Sequence, residues 1–413
     1  MAGLGQPPSD QARMSADYDI AVVGAGIVGA CIAHALRTRG DRVLLVDRDE
    51  PGHGASFGNS GALSPGSVAP LAMPGVLSGV PTMLLDPQGP LYLPPAYLPR
   101  ALPWLARFVA AARPGEVARI AKALADLHRG AIDAHLDLAR TVGAGDLIVR
   151  RGHLHLYPDE AALAKDAAGW ALRTEHGIGF ERLDRAGIEA LEPAVGPRYR
   201  IGVFLPDHAT VVDPHGYVQR IVAAFAASGG RFVRSAVQAV APAGGRWRVD
   251  TATGGIDAGH VVVAAGAWST GLLAPLGLRL PLETQRGYHA RFTGVAPVVS
   301  RTVVLADRKA FVAPMLDGLR IGGTVEFGGL ERDPDWARAH TLAGFARETF
   351  HGLEEARVET WMGHRPCFPD TLPRVGPAQG HAGLWLAFGH GHLGLTDSAN
   401  TARLLAETLP RPA

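Results

Sequence analysis

Glycine carries the first chemistry legible in this chain. Gly24-Ala25-Gly26-Ile27-Val28-Gly29 follows the alternating apolar run Ile20-Ala21-Val22-Val23, and a helix-like segment then reaches Gly40. A second apolar run, Val43-Leu44-Leu45-Val46, ends on Asp47. In such a strand–turn–helix, Gly24 permits the tight turn, Gly26 lets backbone approach a pyrophosphate, and Gly29 lets helix and strand pack closely. The phosphates sit on unpaired N–H groups at the positive end of the helix. Asp47 stands about 20 residues on, the spacing for a carboxylate that accepts ribose hydroxyls. The unit reads as a dinucleotide cradle.

Two further stretches fit the same ligand. Pro51-Gly52-His53-Gly54-Ala55-Ser56-Phe57-Gly58-Asn59-Ser60-Gly61 is too rich in small residues to pack by itself. It suits a loop laid against a large flat molecule, with Ser56 and Asn59 as hydrogen-bonding side chains. Near the C-terminus Leu384-Trp385-Leu386-Ala387-Phe388 meets Gly389-His390-Gly391-His392-Leu393-Gly394-Leu395-Thr396 and a last helix. This second glycine-rich helix start gives the ligand a far end to be held by. Between them, His260-Val261-Val262-Val263-Ala264-Ala265-Gly266-Ala267-Trp268 reads as a central parallel strand passing close to a nucleotide.

The elements that must position these pieces follow from periodicity. Ile27, Cys31, Ile32, Ala35 and Leu36 recur at helical spacing, so Cys31 is a core residue. Residues 70–114 are proline-rich and apolar; they suit a packed irregular connection better than an exposed surface patch. Helical periodicity follows over 116–141 and 159–176, with a strand at His153-Leu154-His155-Leu156-Tyr157 between. Asp213-Pro214 starts a helix that stops at Gly229-Gly230, ahead of the strand Arg231-Phe232-Val233-Arg234. Alternation over 286–292, 310–314 and 319–326 predicts three antiparallel strands.

With 413 residues, two domains are expected. Forty basic and 39 acidic residues give a net charge of +1, which argues against nucleic acid as a partner. The two cysteines, Cys31 and Cys367, form neither a disulfide framework nor a metal-ligand pair, which suits a reducing, cytoplasmic setting. His53, His289, His364, His390 and His392 show no metal-ligand spacing. Residues 1–16 read as a disordered lead without a secretory core, and Met14 is an alternative start. No apolar run has the length of a membrane helix, which leaves peripheral contact with the inner membrane face as the membrane role compatible with the chain.

Taken together, the GAGIVG unit, the GASFGNSG loop, the VVVAAGAW strand and the paired RP…PD and GHGHLG stretches resemble the flavin-dependent D-amino-acid oxidase and dehydrogenase family, relatives of glycine oxidase and sarcosine oxidase. The resemblance runs from Asp17 onward. It implies an α/β architecture: a Rossmann-like FAD-binding domain of glutathione-reductase-like topology, with an inserted substrate domain of antiparallel sheet plus helices. The FAD-binding domain would take residues 17–90, 206–280 and 359–413, and the substrate domain 91–205 and 281–358.

The resemblance also implies extended, non-covalent FAD. Gly24, Gly26, Ile27, Val28, Gly29, Asp47 and Arg48 would hold its ADP half, and the Val237 backbone would meet the adenine. Ser56, Asn59, Ser60, Gly61, Ala265 and Gly266 would line its middle. Gly391, His392, Leu393, Gly394, Leu395 and Thr396 would meet the pyrimidine edge of the flavin. Arg365 matches the arginine that clamps the substrate carboxylate in glycine oxidase, inside the shared pattern W-x-G-x-R-P. Tyr288, His289 and Phe311 complete the pocket candidates. Arg320 stands about where sarcosine oxidase places its oxygen-activating lysine, and Cys367 does not coincide with that enzyme's flavin-linking cysteine.

The expected reaction is therefore oxidation of a C–N bond in a small amino acid, such as a D-amino acid, D-proline or hydroxy-D-proline, to an imine that hydrolyses to an oxo acid. The loop, the long proline-rich insertion and the ending look more like the bacterial dehydrogenases, whose electrons go to a quinone or another carrier. Two competing readings are a 2-hydroxy acid dehydrogenase such as one acting on 2-hydroxyglutarate, and an FAD-binding tRNA-modifying or regulatory protein. Near-zero net charge disfavours the latter.

Overall fold

The computed structural model describes residues 18–74 and 89–411. The expected lead at 1–16 and the Met14 start lie outside the described residues. The glycine unit forms as the sequence predicts: strand Tyr18–Val23, helix Ile27–Arg39 and strand Val43–Asp47. Tyr18–Val23 pairs in parallel with Val43–Asp47 on one side and with Gly254–Val263 on the other. Arg231–Arg234 and Leu384–Phe388 extend the parallel sheet at its two ends. The central strands Tyr18–Val23 and Val43–Asp47 are short, rich in Val, Leu and Ile, and almost wholly buried. Helices Ile27–Arg39, Pro214–Ala227 and Gly394–Thr408 cover one face in a common core with Ile20, Val22 and Leu45. The antiparallel strands Val237–Ala243 and Arg246–Thr251 join the sheet beside Gly254–Val263.

The second sheet is larger than the three strands expected. Its main path has the order Arg357–Cys367, Glu283–Thr293, Gly318–Phe327, Ala310–Met315, Thr302–Leu305, His153–Tyr157, Ile201–Leu205 and Glu181–Leu183. Leu91–Tyr92 adds in parallel to Gly318–Phe327. Helix Ala337–Thr349 packs on one face, sharing a core with Tyr288, Phe292 and Ile321. Strand Arg357–Cys367 pairs along its whole length with Glu283–Thr293. The boundary expected at 358/359 is therefore displaced: residues through Cys367 belong to the second sheet, because the free side of Glu283–Thr293, already paired with Gly318–Phe327, has its backbone groups met by this strand.

The helical stretches are also more broken than periodicity suggests. Residues 116–141 divide into Pro114–His128 and Ala131–Thr141 at Gly130, which sits at φ +68°. The apolar stretch 70–114 contains a helix, Leu98–Ala111, with Pro103 inside it and Ala101, Trp104 and Ala111 buried. No helix among the described residues is long and apolar enough to cross a membrane.

Candidate active site

The C-terminal ends of the parallel strands Tyr18–Val23, Val43–Asp47 and Gly254–Val263 open on one crevice, the usual ligand position of such sheets. There Gly24 turns at φ +110°, and a Cβ on it would fall 2.4 Å from the Ala264 carbonyl oxygen. A Cβ on Gly29 would fall 1.8 Å from the Gly24 oxygen, so both glycines are demanded by close backbone passage. The Asp47 carboxylate accepts from the N–H of Ala25 at 2.6 Å and of Asp49 at 3.1 Å. Burial pushes its pKa up, and these two N–H groups oppose that shift. Ser56 Oγ accepts from the Ile27 N–H at 2.9 Å, tying the small-residue loop to the helix start. That helix carries no acid in its first turn, which suits an anionic ligand there. Arg48 stacks 4.0 Å over the Trp268 ring, just after Ala265 and Gly266. Val237 begins its strand opposite Thr251.

The loop 53–61 is fastened across to the second sheet. Arg320 Nη1 donates to the carbonyls of Phe57 and Asn59. His289 Nδ1 lies 3.1 Å from the Gly58 carbonyl, which makes it the protonated nitrogen of that ring. Burial first, and then the Arg320 charge, lowers the His289 pKa to about 3. The His289 ring stacks on Trp361, with centroids 5.1 Å apart. Trp361 occupies a notch left by two glycines: a Cβ on Gly58 or Gly363 would fall 2.0 or 1.9 Å from its ring. Asn59 Oδ1 is spent on the Gly61 N–H at 2.8 Å, so that atom caps its own turn. Ser60 is half-buried in the same loop.

The second glycine stretch closes from the other side. Gly391 N–H donates to Pro366 O at 2.9 Å, and its neighbour His390 bridges to Cys367. The last helix starts at Gly394 with buried Leu393 and Leu395 beneath it and exposed His392 beside it. Thr396 Oγ1 accepts from Ser64 N–H at 3.0 Å, and Leu395 O lies 2.8 Å from His135 Nε2. One turn on, the Asp397 carboxylate lies 3.1 Å from His128 Nε2, both fully buried.

Between these two ends stands the face of the second sheet that carries Arg365. Direct pairing sets Gln285 against Arg365, Gly287 against Gly363 and His289 against Trp361, so these residues share that face. Gly322 lies opposite both His289 and Phe311, which brings Phe311 to the same side. Tyr288 points the other way, into the core under helix Ala337–Thr349, and its hydroxyl donates to buried Glu326. Tyr288 is thus no part of the pocket: the two-residue period of a strand sends it and His289 to opposite faces.

Arg365 donates to Thr324 O at 2.8 Å and Gly323 O at 3.4 Å. Thr324 is held at φ +60°, a conformation costly for a β-branched residue, and its carbonyl meets that guanidinium. A Cβ on Gly287 would fall 2.1 Å from Arg365 Cζ, so the guanidinium lies flat over a residue that must be glycine. Burial lowers the Arg365 pKa, and among the described residues no carboxylate stands within ion-pair distance of it. Its neighbours differ. Arg286 faces Glu326 at 3.6 Å, both wholly buried, and the charge of Arg320 is partly answered by Asp213 and Asp317.

Sequence reading missed Gly287, Trp361 and the loop-fastening role of Arg320. Alternation along 285–291 was the available signal for Gly287, and the glycines at 58 and 363 for Trp361. Cys31 and Cys367 are buried, and burial raises each thiol to about 12. Among the described residues, no group of three or more His, Cys, Asp or Glu could hold a metal ion.

Comparison with known proteins matches this architecture. The FAD dependent oxidoreductase family, DAO, matches residues 19–408. A D-amino-acid oxidase of Bradyrhizobium diazoefficiens is 39% identical over 398 residues, covering 94% of each chain. A D-amino acid dehydrogenase 2 of Ralstonia nicotianae is 36% identical over 417 residues, covering 95% of this chain and 97% of that one. Among solved structures, glycine oxidase from Geobacillus kaustophilus superposes with a TM-score of 0.75 at 23% identity, covering 96% of this chain and 95% of that one. A match over nearly the whole chain, on a crevice whose glycines, capping Ser56 and acid-free helix start fit an extended dinucleotide, places this protein in the family of FAD-dependent oxidoreductases.

Proposed function

We propose that this enzyme oxidises the C–N bond of a small D-amino acid, with Arg365 receiving the substrate carboxylate. The observation that carries the reading is a half-buried guanidinium that, among the described residues, has no carboxylate partner. Desolvation lowers its pKa, so the charge is held at a cost that an anion would offset. The carbonyls of Thr324 and Gly323 take part of its fork and hold its plane, leaving the rest for a bidentate partner. Both named relatives above act on D-amino acids by their names, which supports that enantiomer.

FAD, when bound, takes up the two electrons and the hydrogen that leave the carbon bearing the amine. Gly24, Gly26, Gly29 and Asp47 would hold its ADP half, and the Gly391–Thr396 loop its far end. The chain itself supplies orientation and dryness. Arg365 fixes the carboxylate, and Trp361, His289 and Phe311 give the face a largely apolar wall that keeps water out. His289 stays neutral at working pH and so adds no charge to oppose a bound amine. The resulting imine takes up water and releases a 2-oxo acid and ammonia. The acceptor we favour is a carrier such as a quinone, because an arginine, Arg320, stands about where an oxygen-activating lysine would, and its Nη1 is tied to the Phe57 and Asn59 carbonyls.

Anaerobic bleaching of the flavin by D-alanine, D-proline, sarcosine, L-alanine and L-2-hydroxyglutarate tests the substrate class. D-amino acids should bleach it fastest; bleaching by the hydroxy acid alone would reverse the reading. Arg365→Ala should raise the half-saturating D-alanine concentration about a hundredfold with FAD retained, since a charged hydrogen-bond pair is worth roughly 1.5–3 kcal/mol.

A further inference from the structure

We infer that the groove between helix Leu98–Ala111 and the start of strand Glu283–Thr293 binds a small zwitterion, an amino acid held by its carboxylate and its ammonium together at a place separate from the reacting one. The groove holds about 540 Å³, within the roughly 300–1,000 Å³ of small-molecule sites. Its two walls carry opposite charge. Tyr97, Arg100, Trp104 and Arg107 line it on the helix side, and Glu283 and Glu331 line it on the other. Among the described residues, none of these four charged groups forms an ion pair.

Each charge is held in place by neutral groups. Arg100 lies over the Tyr97 ring at 5.6 Å, and Arg107 donates to Pro103 O at 3.2 Å. Glu283 Oε1 accepts from the Tyr97 hydroxyl at 3.0 Å and from the Thr284 N–H at 2.9 Å, while Oε2 accepts from the same hydroxyl at 3.2 Å. Burial, and then the Glu283 charge, lifts the Tyr97 phenol to about 12, so the hydroxyl keeps its proton and stays the donor. A carboxylate offers about four acceptor sites, which leaves Oε2 room for an ammonium. Burial also raises the Glu283 pKa, against its hydrogen bonds and the more distant Arg100 charge; a cation in the groove would oppose that burial too. The charges are not needed to fasten the helix. Trp104 does that, donating from Nε1 to Cys367 O at 3.1 Å and meeting the Phe327 ring edge-on at 5.4 Å. A simple anion would suit the arginines and be repelled by the glutamates, and a simple cation the reverse. A zwitterion satisfies both walls.

The groove adjoins the strand pair of the active site. Glu283 pairs directly with Cys367, two residues from Arg365, and Gln285 pairs with Arg365 itself. A ligand that touches Glu283 and Trp104 therefore rests on the end of the two strands that present the carboxylate clamp. The zwitterion at hand there is the enzyme's own substrate class. That choice of occupant rests on the function proposed above; the demand for both charges does not.

The test is equilibrium dialysis of labelled L-alanine against the Arg365→Ala holoenzyme, in which the carboxylate clamp is gone. One saturable site per chain should remain. Propionate and ethylamine, which carry one charge each, should compete at least tenfold less well than unlabelled L-alanine. Adding Glu283→Gln, which keeps an acceptor for Tyr97, should weaken binding about tenfold, the value of one hydrogen bond to a charged group. Adding Arg107→Gln, at an exposed position where the fold spends nothing, should weaken it about twofold to fivefold, and it repeats the test if Glu283→Gln disturbs the helix. No saturable binding to the Arg365→Ala protein would overturn the proposal, as would binding that both groove substitutions leave unchanged. Propionate competing as well as L-alanine would overturn it too, since the groove would then be a plain anion site. Bleaching of the wild-type flavin by D-alanine reports the proposed activity separately, so either idea can fall alone.

Discussion

Gly287→Ala isolates the orientation of Arg365 from its charge. The methyl group would stand 2.1 Å from Arg365 Cζ and 2.2 Å from both terminal nitrogens. Carbon atoms in contact settle at about 3.5–4.0 Å, so the guanidinium must swing outward by roughly 1.5 Å. That movement breaks the 2.8 Å bond to the Thr324 carbonyl and turns the fork away from the carboxylate it would receive. Hydrogen bonds to a charged group are worth about 1.5–3 kcal/mol, so D-alanine binding should weaken by roughly tenfold to a hundredfold. The fold should tolerate the change, because the displaced atoms end a flexible side chain and alanine in a strand is about 0.5–1 kcal/mol better than glycine. The assay is anaerobic titration of the flavin absorbance with D-alanine, beside a thermal melt. Gly54→Ala, with nothing within 4 Å of its new carbon, is the matched control. A Gly287→Ala protein that titrates like the wild type would refute the clamp, since no carboxylate-binding fork survives such a displacement. A protein that loses FAD instead would show that Arg365 serves the cofactor.

Further predictions follow from the burial of other groups. Arg320→Met should leave D-alanine affinity within about threefold but loosen FAD by roughly tenfold, because it frees the carbonyls that fasten the 53–61 loop; equilibrium dialysis of the flavin decides it, and undiminished retention removes Arg320 from that role. Burial lowers His135 and His153 from 6.5 to about 4. Between those values the unfolded chain binds the extra protons, so stability should fall as pH drops from about 6.5 to 4, by roughly 1.4 kcal/mol per pH unit for each ring. Urea midpoints at intervals across that range measure it, and a flat profile contradicts the burial. Acid precipitation should release all the FAD and leave a colourless pellet, because the buried Cys367 thiol is held protonated by a pKa of about 12; a yellow pellet means a covalent link.

The nucleotide half of this molecule was legible because its constraints are local. Gly24, Gly29 and Asp47 answer to backbone contacts within one strand–helix–strand unit, and glycine spacing records such contacts directly. Gly391 and Thr396 were legible for the same reason at the start of the last helix. The second sheet was only half legible. Alternation identified strands at 286–292, 310–314 and 319–326, yet the run 357–367 reads as a strand only once its partner is known. Its alternation is weakened by Gly363 and Pro366, and its register comes from Glu283–Thr293, some seventy residues earlier.

Pairs that meet across the fold left no local trace at all. His128 and Asp397 lie at a helix end and a helix start, and nothing near either one announces the other. The three arginines of the second sheet show the same limit most sharply. Arg286, Arg320 and Arg365 sit on adjacent strands in similar company, and a count of charges treats them alike. What separates them is the partner each finds: Glu326 for the first, loop carbonyls with Asp213 and Asp317 behind them for the second, and no acid among the described residues for the third. A guanidinium that the fold withdraws partly from water, and that meets no carboxylate among the described residues, is kept at a cost in stability. Such a cost persists where a ligand repays it, and for Arg365 the ligand that repays it is a carboxylate.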